Sequence, residues 1–132
     1  MNYAKTIRLA LDYDTAVPRV KAAFQAQGFG TLTEIDVQAT LRGKLGVEME
    51  RYVILGACNP TLAHRALDVQ REIGLLLPCN VVVQEDGDGV RVHALDASLI
   101  ASIPGVPELE PIAAEAGQRL QAALDALLED GA

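Results

Sequence analysis

Tryptophan is absent, and two phenylalanines and three tyrosines leave aromatics at 4% of the 132 residues. Bulk must come in small pieces. Half of the residues are hydrophobic, with the excess in Ala, Leu and Val, a composition that excludes disorder and suits helices packed tightly on a sheet. Cysteine is scarce, with only Cys58 and Cys79, so a disulfide scaffold is excluded. Their separation is not that of a C-x-x-C motif, which excludes a thioredoxin-like redox pair and a compact zinc knuckle. Positive charge is in deficit. Lys and Arg number 11 against 18 Asp and Glu, giving a net charge of -7, so nucleic acid and anionic membranes are excluded as partners unless a basic patch exists. The nearest approach to one, Arg42-Gly-Lys44, holds two charges and reads as a solvated face.

Long apolar runs are also missing. Leu75 to Leu77 and Val81 to Val83 fall far short of the about 20 residues a membrane span needs. Met1 to Lys5 leads into strand-like sequence with no signal-peptide pattern, so a cytoplasmic location is expected. The length suits one domain over residues 1–132, without internal repeats or low-complexity tracts.

What is present is organised around residues 52–84. An apolar run ends in Cys58-Asn59-Pro60, an amphipathic stretch follows, and a second apolar run carries Pro78-Cys79-Asn80. This is a strand-helix-strand unit holding both cysteines. Asn59 and Pro60 are the preferred cap and first-turn residues for its helix, with Leu62, Ala63, Ala66 and Leu67 as the buried stripe and Gly74 as the stop. The fourth strand spans Leu75 to Val83, and because Pro78 cannot donate to a ladder, regular pairing is expected from Cys79 or around a bulge.

Around the unit, Ile7, Leu9 and Leu11 alternate with Thr6, Arg8 and Ala10 in a first strand. Asp14 is placed to cap a helix with Pro18 in its first turn, Val17, Val20 and Phe24 as its stripe and Gly28 as its end. A second strand covers Phe29 to Ile35. Asp36 then caps a short helix with Val37, Leu41 and Leu45 along one side and Gly43 and Gly46 near its end. Glu85-Asp-Gly-Asp-Gly89 turns into a fifth strand, Val90 to Leu95, forming a hairpin. Asp96 caps a short turn, Pro104 to Pro107 is a rigid connector, and a closing helix starts near Pro111, with Ile112, Ala116, Leu120, Leu124 and Leu127 at helical spacing.

Tyr52-Val-Ile-Leu-Gly-Ala-Cys-Asn-Pro60 and Ile73-Gly-Leu-Leu-Leu-Pro-Cys-Asn-Val-Val-Val83, with Asp36 to Gly46 between them and the second strand, resemble the signature blocks of a prokaryotic family, the domain of unknown function numbered 302 (DUF302). The resemblance implies an α+β fold: a curved, mainly antiparallel sheet of about five strands with helices packed on one face, similar to the TATA-binding-protein-like (TBP-like) arrangement, and a C-terminal helix. It also implies a homodimer and brings no settled activity. The residues alone suggest a parallel strand-helix-strand unit; the resemblance turns the expectation to an antiparallel sheet. The analogy to a DNA-binding fold does not carry over to an acidic chain.

Five residues are candidate ligand-binding or reactive groups: Cys58, Asn59, Cys79, Asn80 and Glu34. Cys58 precedes a helix start, where the dipole and free N–H groups favour a thiolate, although cysteine also serves as apolar filler. Cys79, near a strand start, has a stronger claim to be filler. In a parallel unit the two thiols would sit about 20 Å apart, and an antiparallel unit shortens that. Asn59 is explained as a cap; Asn80 needs partners for its amide if buried. Glu34 and Asp36 are candidate acid or metal groups, also explained as a solvent-facing residue and a cap. His64 and His93 fall in no triad or zinc pattern, and the Gly87–Gly89 turn lacks the distal glutamate of a calcium loop. Cofactor and metal are left undetermined by the sequence. The composite expectation is a homodimeric module that binds a small ligand or a protein on its sheet face or dimer groove. Its alternative is thiol-dependent redox sensing or soft-metal binding through Cys58 and Cys79.

Overall fold

Five strands form one antiparallel sheet in the order β1-β5-β4-β3-β2, built from β1 (Ala4–Leu9), β2 (Gly30–Asp36), β3 (Tyr52–Cys58), β4 (Cys79–Asp86) and β5 (Gly89–Leu95). The computed structural model describes residues 2–130. Alternation decides the faces: Leu9, Val53, Leu55, Val81, Val83, Val90 and Val92 are all buried on one side. Against them pack α1 (Tyr13–Ala26), α3 (Pro60–Val69) and α5 (Glu110–Glu129). The α5 stripe expected from spacing is all buried, Ile112, Ala116, Leu120, Leu124 and Leu127 among it. No described helix is long and apolar enough to cross a membrane.

Several boundaries move. Asp12, not Asp14, caps α1, its carboxylate accepting from the Thr15 N–H at 3.3 Å; Asp14 lies inside the first turn and pairs with Arg51 at 2.6 Å. Pro18 therefore sits beyond the first turn and deprives the exposed Asp14 carbonyl of its partner. Gly28 closes the helix with φ +86°, as expected. In β2 the apolar residues do not form an inward face: register shifts between Thr31 and Thr33, leaving Leu32 68% and Ile35 48% exposed at this edge strand. Helix α2 (Val37–Leu45) is capped by Asp36 and ended by Gly46 as expected, yet buries none of its residues. Gly74 does not stop α3, which ends at Val69; an extended Gln70 leads into a 3₁₀ turn, Arg71–Leu76, that contains Gly74 and seats Ile73 in the core. Pairing of β4 begins at Cys79, after a cis Leu77–Pro78 peptide.

The β4–β5 hairpin closes on Gly87-Asp88, Gly87 holding the positive φ (+62°) that a type II′ turn requires at its first central position. A short helix, α4 (Leu99–Ser102), precedes the connector to α5. Asp96 accepts from both the Ser98 N–H and its hydroxyl, shaping that turn.

Gly56, in the middle of β3, faces away from the helices. A Cβ there would run into the Thr33 side chain and come within 2.9 Å of the Pro78 ring. Gly56→Ala should therefore cost about 1–3 kcal/mol through overpacking. Gly43→Ala, in α2 with open space around it, should instead stabilise by about 0.5–1 kcal/mol. Urea unfolding of both variants measures the contrast.

Candidate functional site

The two Cys-Asn blocks meet at one end of the central strands. In the antiparallel register Ala57 lies opposite Cys79 and Gly56 opposite Asn80, so the blocks are neighbours rather than separated by a helix length. Cys58 ends β3, and Asn59 caps α3 by accepting from the Leu62 N–H at 3.1 Å. Both cysteines are free thiols and both line one cavity of about 20 Å³ walled by Leu62, Ala66, Pro78 and Ile112. That volume holds about one water, so no organic ligand fits.

Burial pushes the Cys58 thiol up, against the direction expected from the helix start beside it. Burial also pushes the Cys79 thiol up to about 11, with Cys58 adding to the rise. Both are thiols at neutral pH. Asn80 is exposed, so water satisfies its amide and it needs no protein partner. Glu34 lies at the β2 edge, paired with Lys21 of α1, beside a pocket of about 320 Å³ that also takes in Tyr13, Asp36 and Arg51. The Arg51 guanidinium stacks 4.2 Å from the Tyr13 ring centre. Among the described residues no three His, Cys, Asp or Glu side chains converge as a metal site would need. His64 stays on the exposed side of α3, 3.5 Å from Asp68.

The sheet face away from α1, α3 and α5 carries what sequence reasoning missed. One row crosses all five strands: Thr6, His93, Val82, Ile54 and Ile35, each opposite the next. Its first two members join a hydrogen-bonded chain. The Gln84 amide donates to Glu50 at 2.9 Å, which leaves its carbonyl to accept from His93 Nε2–H at 3.0 Å; His93 Nδ1 then accepts from the Thr6 hydroxyl at 2.9 Å. Burial lowers the His93 pKa and the Arg91 charge lowers it further, so the ring is neutral at neutral pH. At the sheet end, Asp86 accepts from Arg8 and Arg91 at 3.1 and 3.0 Å, tying β1 to the hairpin. Period-two alternation put His93 on the non-valine side of β5, but pairing Thr6 with it required the β1–β5 register.

The model of the family described as domain of unknown function DUF302 matches residues 5–127. The chain belongs to the DUF302 family. The crystal structure of an uncharacterized conserved DUF302 protein from Bacillus stearothermophilus is similar to it, with 28% identity, a TM-score of 0.86, and coverage of 95% of this chain and 98% of that one. No curated protein matches the chain. The matched span of this DUF302 chain runs from β1 to Leu127, the last buried leucine of α5, and so takes in the Cys-Asn blocks and the open sheet face together.

Cys79 makes this DUF302 fold sensitive to alkali. A thiol unfolded ionises from its ordinary value near 9.0, whereas the folded one keeps its proton up to about 11. The stability contributed is whole below about pH 9 and is lost as pH rises towards 11. Cys79→Ala should be less stable at pH 7, yet lose less on going from pH 8 to pH 11, read as the difference in urea midpoints between the two proteins.

Proposed function

We propose that this chain is a binding module that works as a homodimer, its open sheet face being the surface the second copy covers and the Cys-Asn blocks framing one end of the groove. The observation carrying it is the apolar run Val82, Ile54 and Ile35, contiguous across β4, β3 and β2 on a face that the core helices leave bare. Ile35 is nearly half exposed, an arrangement that favours burial against another surface. An antiparallel, half-apolar face is suited to sheet-on-sheet packing. The polar part of the same face, Thr6, His93, Gln84 and Asn80, supplies the groups that would orient a partner or a small ligand held between two copies. Light scattering should return a dimer mass, and Ile54→Lys, which sets a charge in the middle of the row without touching the helix side, should return a monomer with its helical circular dichroism retained. A monomeric parent at working concentration removes the reading.

A second reading rests on the shared cavity of the two thiols. In it Cys58 and Cys79 form a soft-metal or redox pair, Cys58 reacting first and Cys79 acting as second ligand or resolving partner. Cys58→Ser should then abolish thiol reactivity or soft-metal uptake and leave the fold intact. Equal, slow modification of both thiols only on unfolding, followed by mass spectrometry, would assign both to packing.

A further inference from the structure

We propose that His93 makes self-association through the open sheet face depend on pH, holding the dimer together while the ring is neutral and releasing it when the ring takes up a proton. The inference rests on the dimer reading above and adds its regulation.

The placement is the first argument. His93 is half-buried on β5, the second strand of the open row, directly opposite Thr6 on one side and Val82 on the other, so a surface laid on Val82 and Ile54 also covers the imidazole. The second argument is the wiring. As a neutral ring His93 accepts from Thr6 and donates to Gln84, so both nitrogens are satisfied and the face is uncharged at that point. On protonation the Nδ1–H donates instead, and the Thr6 hydroxyl needs only to rotate to accept. The monomer thus tolerates the proton without losing either hydrogen bond. The dimer does not, because a cation would then be sealed between two sheets, and the two-fold operation of a homodimer places a second one on the same interface.

The charged surroundings point the same way. On its own strand His93 has Arg91, on the same face of β1 it has Arg8 while Lys5 lies on the opposite face, and on β4 it has Gln84, Val82 and Asn80 with no charge. The nearby carboxylates are engaged elsewhere, Glu50 by the Gln84 amide and Asp86 by Arg8 and Arg91. Among the described residues no carboxylate pairs with the His93 ring, so nothing on this chain offsets an imidazolium in a covered face.

Linkage sets the expected size. A group protonated in the monomer and neutral in the dimer raises the dissociation constant as pH falls below its monomer pKa, which for His93 lies below the ordinary histidine value of about 6.5 because of burial and the Arg91 charge. With one His93 on each copy, the constant rises up to about 100-fold per pH unit through that window. Sedimentation equilibrium of the full chain at pH 8, 7, 6 and 5 reads this directly. The expected result is a dimer at pH 8 whose dissociation constant rises only below the ordinary histidine value of about 6.5, a His93→Gln protein whose constant does not rise as pH falls, and a His64→Gln protein that follows the parent, His64 being on the exposed side of α3. A parent monomeric at pH 8 defeats the dimer reading itself. A dimer whose constant does not move between pH 8 and pH 5 leaves that reading standing and overturns the switch. Equal acid dissociation of the parent and His93→Gln also overturns it, assigning the effect to another group.

Discussion

Everything else in this molecule depends on one sheet face being buried and the other being left bare. Val81 and Val83 of β4, Val90 and Val92 of β5 and the Val53-Leu55-Ala57 series of β3 sit against α1, α3 and α5, and the long α5 stripe seals them. The hydrophobic effect acts on area without direction, but the strand pleat divides it. Each residue that turns towards the helices sends its neighbour to the opposite face. Val82, Ile54 and His93 are where they are because Val81, Val83, Leu55 and Val92 had to be inside.

The core itself is made of small aliphatic pieces, consistent with the near absence of aromatics. Phe24 and Phe29 are both buried, at the end of α1 and the start of the chain's return to the sheet, where Gly28 supplies the left-handed turn between them. Packing of this kind tolerates little extra volume at close approaches, which is why Gly56 lies under Thr33 and Pro78, and Gly89 under Arg8 and the Leu9 carbonyl. These glycines let side chains from neighbouring segments cross the strands, and at Gly89 the crossing chain is the arginine that links β1 to the hairpin.

Chemistry in the chain divides between a closed site and an open one. The thiols of Cys58 and Cys79 share a cavity too small for a ligand and are held protonated by burial, so their contribution at neutral pH is to packing. The open face instead offers an imidazole poised between a hydroxyl and an amide. Membership of the DUF302 family and the similarity to the Bacillus stearothermophilus structure extend the same architecture over nearly the whole chain. They leave the activity to be read from the face and the cavity.

The sequence by itself determined which segments become strands and helices, where α2 and α3 are capped, and which residues of α5 go inside, because these follow from local periodicity, cap chemistry and the backbone limits of Pro and Gly. It misplaced the α1 cap by two residues, since Asp12 and Asp14 are equivalent to a local reading and only the Arg51 pairing separates them. It also assigned Gly74 as a helix stop, where packing of Ile73 into the core drew the chain into a 3₁₀ turn first. The antiparallel sheet is expected from the resemblance of the two Cys-Asn blocks, not from periodicity. Only the tertiary structure decided the register of β3 on β4, that both thiols reach one cavity, and that Thr6, His93 and Gln84 join. Those pairs are 87 and 9 residues apart along the chain, and their meeting depends on strand order and register, which local preference does not encode.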